Sequence, residues 1–125
     1  FALNVANRVA GFVNANSLFQ RVIPYCLDCK VDIEVYNRNR IDLYNKLTDL
    51  GFKCVKPVGA FYMFPQTPIE DDVAFCNAAK EFNLLLVPGT GFGCKGHMRL
   101  SYCVSHDTII NSFPAFEKLA AKFIK

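Results

Sequence analysis

The sequence predicts an α+β domain, a small mixed or antiparallel sheet with helices packed on one face. Three observations carry this. Residues 97–104 alternate apolar and polar, the period of a strand buried on one side. Residues 32–50 repeat apolar side chains at four-three spacing, the period of an amphipathic helix. Around them, short apolar runs and helical stripes follow one another within 125 residues. That length suits one core and not two ordinary ones.

The opening, up to Phe12, has no clear period. Residues 17–29 read as a helix with Leu18, Val22 and Tyr25 on one face and a kink at Pro24. The clearest helix is 32–50. Tyr36, Arg40, Leu43, Leu47 and Leu50 form its stripe, widened by Ile33, Ile41 and Tyr44. Asp32 and Glu34 suit its first turn and Gly51 its stop. Residues 52–56 and 60–64 read as two strands of a hairpin turning at Pro57-Val58-Gly59. Thr67-Pro68-Ile69-Glu70 starts a helix, with Asp71 an equal alternative start. Its buried face is Ile69, Val73, Cys76, Ala79 and Phe82, and Asn83 is a left-handed stop.

Residues 84–87 read as a short, fully apolar strand, ended by Pro88-Gly89. In the strand 97–104, Met98, Leu100, Tyr102 and Val104 point one way; Arg99, Ser101 and Cys103 point the other. Ser105 caps a last helix with Ile109, Ile110, Phe113, Phe116, Leu119 and Phe123 on its apolar face, interrupted early by Pro114. The chain is expected to consist of a connecting helical segment, 1–30, and a compact α+β part, 31–125. Its own helices leave the Arg99 face of the sheet uncovered.

Composition narrows the function. The net charge is +3 with no basic run, so nucleic-acid binding has little electrostatic support. No apolar stretch approaches the roughly 20 residues that span a bilayer, so no membrane partner is expected. The opening residues lack the basic region and apolar core of a secretory signal, which points to the cytoplasm. The six cysteines then read as reduced thiols acting as small apolar residues. Twelve phenylalanines, and Phe1, Leu3, Val9 and Phe12 in an opening with no partner of its own, suggest apolar surface meant for association.

Two features carry chemistry. Gly89, Gly91, Gly93 and Gly96 lead into a strand, not a helix, which argues against a Rossmann turn or a P-loop. They read either as a flexible connection or as a loop whose backbone must approach something closely. Arg99 reads either as a structural ion-pair partner or as a grip for a small carboxylate, to which a guanidinium offers two parallel donors. Cys26-x-x-Cys29 and Cys94-x-x-His97 have metal-ligand spacing within each pair, but the gap between pairs is too long for an ordinary zinc module, and no metal site is assigned. His97 and His106 have no triad partners and read as surface or capping residues.

"GAFYMFP" (59–65) and "LLLVPGTGFGCKGHMRLSYC" (84–103) resemble the C-terminal part of class I/II aminotransferases, fold-type I pyridoxal-phosphate enzymes of the aspartate aminotransferase type. "GFVNANSLFQRVI" and "VYNRNRIDLYNKLTDLGFKCVKPVGAFY" are similar to the same family's upstream pattern, so the likeness covers nearly the whole chain in the family's order. Asn16 departs from the family's common Pro, and Asn39 from one member of its Arg-Arg pair.

The resemblance implies that Arg99 forms a bidentate salt bridge to the substrate α-carboxylate. It implies that the strand from Gly59 to Tyr62 lines the same cleft, with Gly59 and Phe61 as substrate-binding residues, and that Phe92 holds the loop's aromatic position. It places no catalytic, cofactor-binding or metal residue in this segment. The Schiff-base lysine, the ring-stacking aromatic and the pyridinium-pairing Asp belong upstream, in a large domain. Lys30, Lys46, Lys53, Lys56, Lys80, Lys95, Lys118, Lys122 and Lys125 all read as surface positions. The whole enzyme is then a homodimer that moves an amino group between an α-amino acid, aspartate among them, and a 2-oxo acid with pyridoxal 5'-phosphate. Elimination and related chemistry occur on the same scaffold. The isolated chain is expected to bind no cofactor covalently and to be inactive. The alternative is a free-standing amino-acid-binding or regulatory α+β domain without catalysis.

Overall fold

The structure, a computed structural model, describes residues 1–9 and 16–124. Phe12 and Lys125 lie outside the described residues. The chain divides into two units, Phe1–Val31 and Asp32–Lys125.

In the first unit α1 spans Ala2–Val9, a helix within the segment expected to be helical, though no clear period marked it. α2 spans Ser17–Val22, where a longer helix was expected. Asn16 caps it by accepting from the Leu18 amide at 2.9 Å. Pro24 then tightens Ile23–Tyr25 into a 3-10 turn that closes the helix. The described residues of this unit are exposed.

The second unit holds the core. α3 spans Ile33–Asp49, capped by Asp32, and ends where Gly51 takes φ +90°. Its Leu43 and Leu47 are buried against Phe116, Leu119 and Ala120 of α5, His106–Phe123. Each such buried side chain contributes roughly 1.5–3 kcal/mol. Three strands form an antiparallel sheet in the order β1-β3-β2: β1 Tyr62–Met63, β2 Val87–Pro88 and β3 Met98–Ser101. Tyr62 pairs with Ser101 and Val87 with Arg99. Met98, Leu100 and Tyr102 are buried, as their alternation implied.

Several expectations are corrected. Residues 52–56 form no strand and no hairpin. Phe52 is drawn into the core, its amide closing onto Leu47, and Arg40 takes the Pro57 carbonyl at 2.8 Å. One backbone bond, Gln66 to Lys53, remains where a ladder was expected. Of the strand expected at 84–87 only Val87 belongs to β2, which extends into Pro88; before it Leu84 and Leu86 face inward while Leu85 is 84% exposed.

Helix α4, Asp72–Ala79, starts at the later of the two candidate caps, Asp71. That shift buries Asp72, Phe75, Cys76 and Ala79 and leaves Val73 exposed. Asn83 ends the following turn at φ +60°, as read. α5 runs unbroken through Pro114 and leaves Ile110 exposed. The proline's missing bond falls on the Ile110 carbonyl, on the exposed side, where water can replace it. Of the cysteines only Cys76 is fully buried; Cys26, Cys29 and Cys103 are exposed and free. No helix of the described residues is long and apolar enough to cross a membrane.

Candidate functional site

The site is built around β3, the middle strand. β1 on one side brings Tyr62 opposite Ser101, and the chain leaving β2 on the other brings Phe92. That second segment, Gly89–Phe92, is a 3-10 turn fixed at three points. The Gly89 amide donates to the His97 carbonyl at 2.8 Å, and the Cys94 amide donates back to Gly89 at 3.0 Å. The Thr90 amide and hydroxyl donate to the two carboxylate oxygens of Asp72, at 2.7 and 2.8 Å. A Cβ on Gly89 would lie 2.2 Å from the Cys94 carbonyl oxygen, so the loop's own closure requires glycine there. Gly93 is needed for a different reason, its φ of +71°.

Asp72 is buried and charged. The Thr90 backbone N–H is the main reason its carboxyl lies below the ordinary value, and burial opposes that shift. The sequence reading saw Asp72 only as part of a helix start. Burial pushes the Cys76 thiol beside it up to about 11, so it stays neutral.

Arg99 is half-buried between two aromatic faces. Its guanidinium carbon lies 4.5 Å from the Tyr62 ring centre and 4.2 Å from the Phe92 ring centre. Phe64 supports Phe92 edge-on at 6.1 Å, and Phe61 leans on Tyr62 at 4.8 Å. With rings over the guanidinium, the N–H donors remain in its plane. Among the described residues none forms an ion pair or accepts a hydrogen bond from Arg99. The residue also borders a cleft of about 380 Å³ with Leu86, Val87, Ser101 and Val104, which Tyr62 and Phe92 do not line.

Arg99 and Phe92 are thus brought together, and Phe61 joins them through Tyr62. Gly59 is not: it lines a second cleft with Val58, Ala60, Tyr102 and Arg40 that Arg99 does not reach. Tyr62, which touches Arg99 directly, was expected within the strand lining the cleft but was not singled out as a site residue. Its place opposite Ser101 follows from the β1–β3 register, which the expected hairpin concealed.

No lysine among the described residues lines the Arg99 cleft. Lys80, Lys95 and Lys122 bond to Asn77, Glu70 and Glu81 on the surface. Lys46, read as a surface residue, is partly buried against Glu117 and Phe113. The lining of the Arg99 cleft therefore offers no amine that could hold pyridoxal phosphate.

The geometry is that of an α+β unit presenting an arginine from its middle strand, stacked between two rings and flanked by a glycine-rich turn. The chain belongs to the aminotransferase class I and II family, whose model matches residues 13–112. It is 38% identical over 91 residues to the aspartate/prephenate aminotransferase of Thermus thermophilus, covering 71% of this chain and 24% of that protein. Its fold matches a crystal structure of an aminotransferase from Eubacterium rectale with a TM-score of 0.86 and 48% identity, over 96% of this chain and 30% of that one. The aspartate aminotransferase of Thermus thermophilus solved with maleate matches with a TM-score of 0.66 and 38% identity, over 69% of this chain and 23% of that one. The chain spans about a quarter of the length of the curated relatives it matches.

Proposed function

We propose that this chain is the C-terminal small domain of a pyridoxal-phosphate-dependent aminotransferase, and that it holds the α-carboxylate of the substrate. The observation that carries this is Arg99, a half-buried cation stacked between Tyr62 and Phe92, with no acid to neutralise it among the described residues. A carboxylate meeting the guanidinium edge would complete a bidentate pair. The stacking holds the plane in advance, which lowers the ordering cost of binding. Orientation of the amino acid is this segment's contribution. The amino-transfer chemistry belongs to a cofactor held by residues outside it.

The family relationship supports aspartate and related amino acids as substrates, a 2-oxo acid as acceptor, a homodimeric enzyme and a cytoplasmic setting. In the same reading residues 1–30 connect to the large domain and 31–125 form the substrate-binding part. The test is turnover by a protein carrying this segment together with its cofactor domain. Arg99→Ala is expected to cut kcat/KM for α-amino acids by roughly 10²–10³-fold while the melting temperature falls by no more than a few degrees. Arg99→Lys is expected not to restore it, because a point charge makes no bidentate contact. An alanine variant within a few-fold of wild type would overturn the proposal. The chain alone, given pyridoxal phosphate and borohydride, is expected to trap no stoichiometric adduct.

A further inference from the structure

On the other side of β3 lies a polar cluster that the carboxylate grip does not use. Asn39, on α3, is fully buried at 0% exposure. Its Nδ2 donates to the Tyr102 carbonyl at 3.0 Å and to the Val104 carbonyl at 2.8 Å. Both amide hydrogens are spent, so the orientation of the amide is fixed and Oδ1 is left to accept. The atom facing Oδ1 is His106 Nδ1, at 3.0 Å, so that nitrogen carries the hydrogen. His106 Nε2 faces Asp42 Oδ2 at 3.6 Å, and Asp42 in turn lies 3.9 Å from Arg38 Nε.

The cluster reaches the site through Tyr102, three residues beyond Arg99. Burial pushes the Tyr102 phenol up, which keeps it a neutral donor. Its hydroxyl donates to the Ala60 carbonyl at 2.7 Å, and its amide donates to the Phe61 carbonyl at 3.1 Å. Ala60 has φ +58°, a left-handed conformation that costs a residue with a Cβ roughly 1–2 kcal/mol and persists only when held. The next two residues are Phe61 and Tyr62, and the Tyr62 ring lies over Arg99. One series of hydrogen bonds therefore runs from the first turn of α5, through α3 and the end of β3, to the segment that aims Tyr62.

We propose that Asn39, Tyr102 and His106 are positioning residues that set the geometry of the Arg99 carboxylate grip; the proposal rests on the reading of Arg99 given above. Asn39 locks the point where the chain leaves β3. Tyr102 carries that constraint across to Ala60. His106 holds the Asn39 amide in the orientation that makes both steps work. Asn39 was read from the sequence only as a departure from the family's Arg-Arg pair, and His106 only as a capping or surface residue.

The test uses the whole 125-residue chain, labelled with ¹⁵N, and maleate as the probe. His106→Ala and Tyr102→Phe are each expected to weaken maleate binding about fivefold, the effect of one lost hydrogen bond. Both are also expected to shift the backbone amides of residues 59–61 in the free protein. His106→Asn, which keeps an N–H near the position of Nδ1, is expected to return affinity to within about twofold of wild type. Folded variants that bind maleate like wild type, with the 59–61 amides unmoved, would overturn the proposal. If His106→Ala does not fold, Tyr102→Phe decides alone, since it removes a single oxygen. A wild-type chain that ignores maleate, or an Arg99→Ala chain that binds it equally well, overturns the Arg99 reading instead. The 59–61 shifts then judge the network separately.

Discussion

Arg99 and Asn39 flank the same strand and are treated in opposite ways. Asn39 is sealed in the core with its amide fully partnered: two carbonyls accept from it and His106 donates to it. Arg99 carries a full charge, and its guanidinium is stacked between two π faces with no ion pair among the described residues. A buried amide with every bond made is a fastening, and its removal leaves several groups stranded. A half-buried cation with no acid paired to it among the described residues is, in the proposed reading, a group kept for a ligand.

The comparison can be broken by measuring stability on each side. Asn39→Ala strands two carbonyls and a histidine N–H, and is expected to cost about 3 kcal/mol in urea unfolding. Gly89→Ala comes next, at about 2 kcal/mol, because its methyl would meet the Cys94 and His97 carbonyl oxygens. Gly91→Ala, with open space around it, is expected to stay within about 0.5 kcal/mol and so shows which glycine closes the loop.

Acid sharpens the picture at the loop. The folded value of Asp72 is depressed by the Thr90 N–H. Its contribution is therefore fully present above the unfolded Asp value of about 3.9 and is lost as pH falls through the folded value. Unfolding curves at pH 6 and pH 3 are expected to differ less in Asp72→Asn than in wild type. A small effect, above only that of Gly91→Ala, is expected at Arg99 itself. Arg99→Ala forfeits two ring contacts and is expected to cost roughly 1 kcal/mol. A loss of about 3–5 kcal/mol would mark it as a structural ion-pair residue and break the comparison.

Much of this was legible in the sequence where a local period was strong. The stripe of α3, the alternation through Met98, Leu100 and Tyr102, and the Ser105 cap all depend on neighbours within one or two turns. The family likeness, too, was carried by residues 59–65 and 84–103 and is supported by the match over residues 13–112. What failed depended on distant partners. Residues 52–56 have strand composition, but Phe52 is claimed by the core and Pro57 by Arg40. Val104 continues an alternating pattern, yet Asn39 takes its carbonyl and the side chain ends 38% exposed. Tyr62 was expected on the strand lining the cleft, but its direct contact with Arg99 needs the register of β1 against β3. Pairing across 39 residues leaves no local mark.

The central claim is that Arg99 waits for a carboxylate. The most direct measurement follows the Arg99 side-chain Nε–H by NMR while maleate is added to the chain. The expected result is a saturable shift of that signal, with the Tyr62 and Phe92 ring protons moving in step, and no saturable binding in Arg99→Lys. An Arg99 signal that stays fixed while maleate binds elsewhere, or a Lys variant that binds as well as wild type, would contradict it.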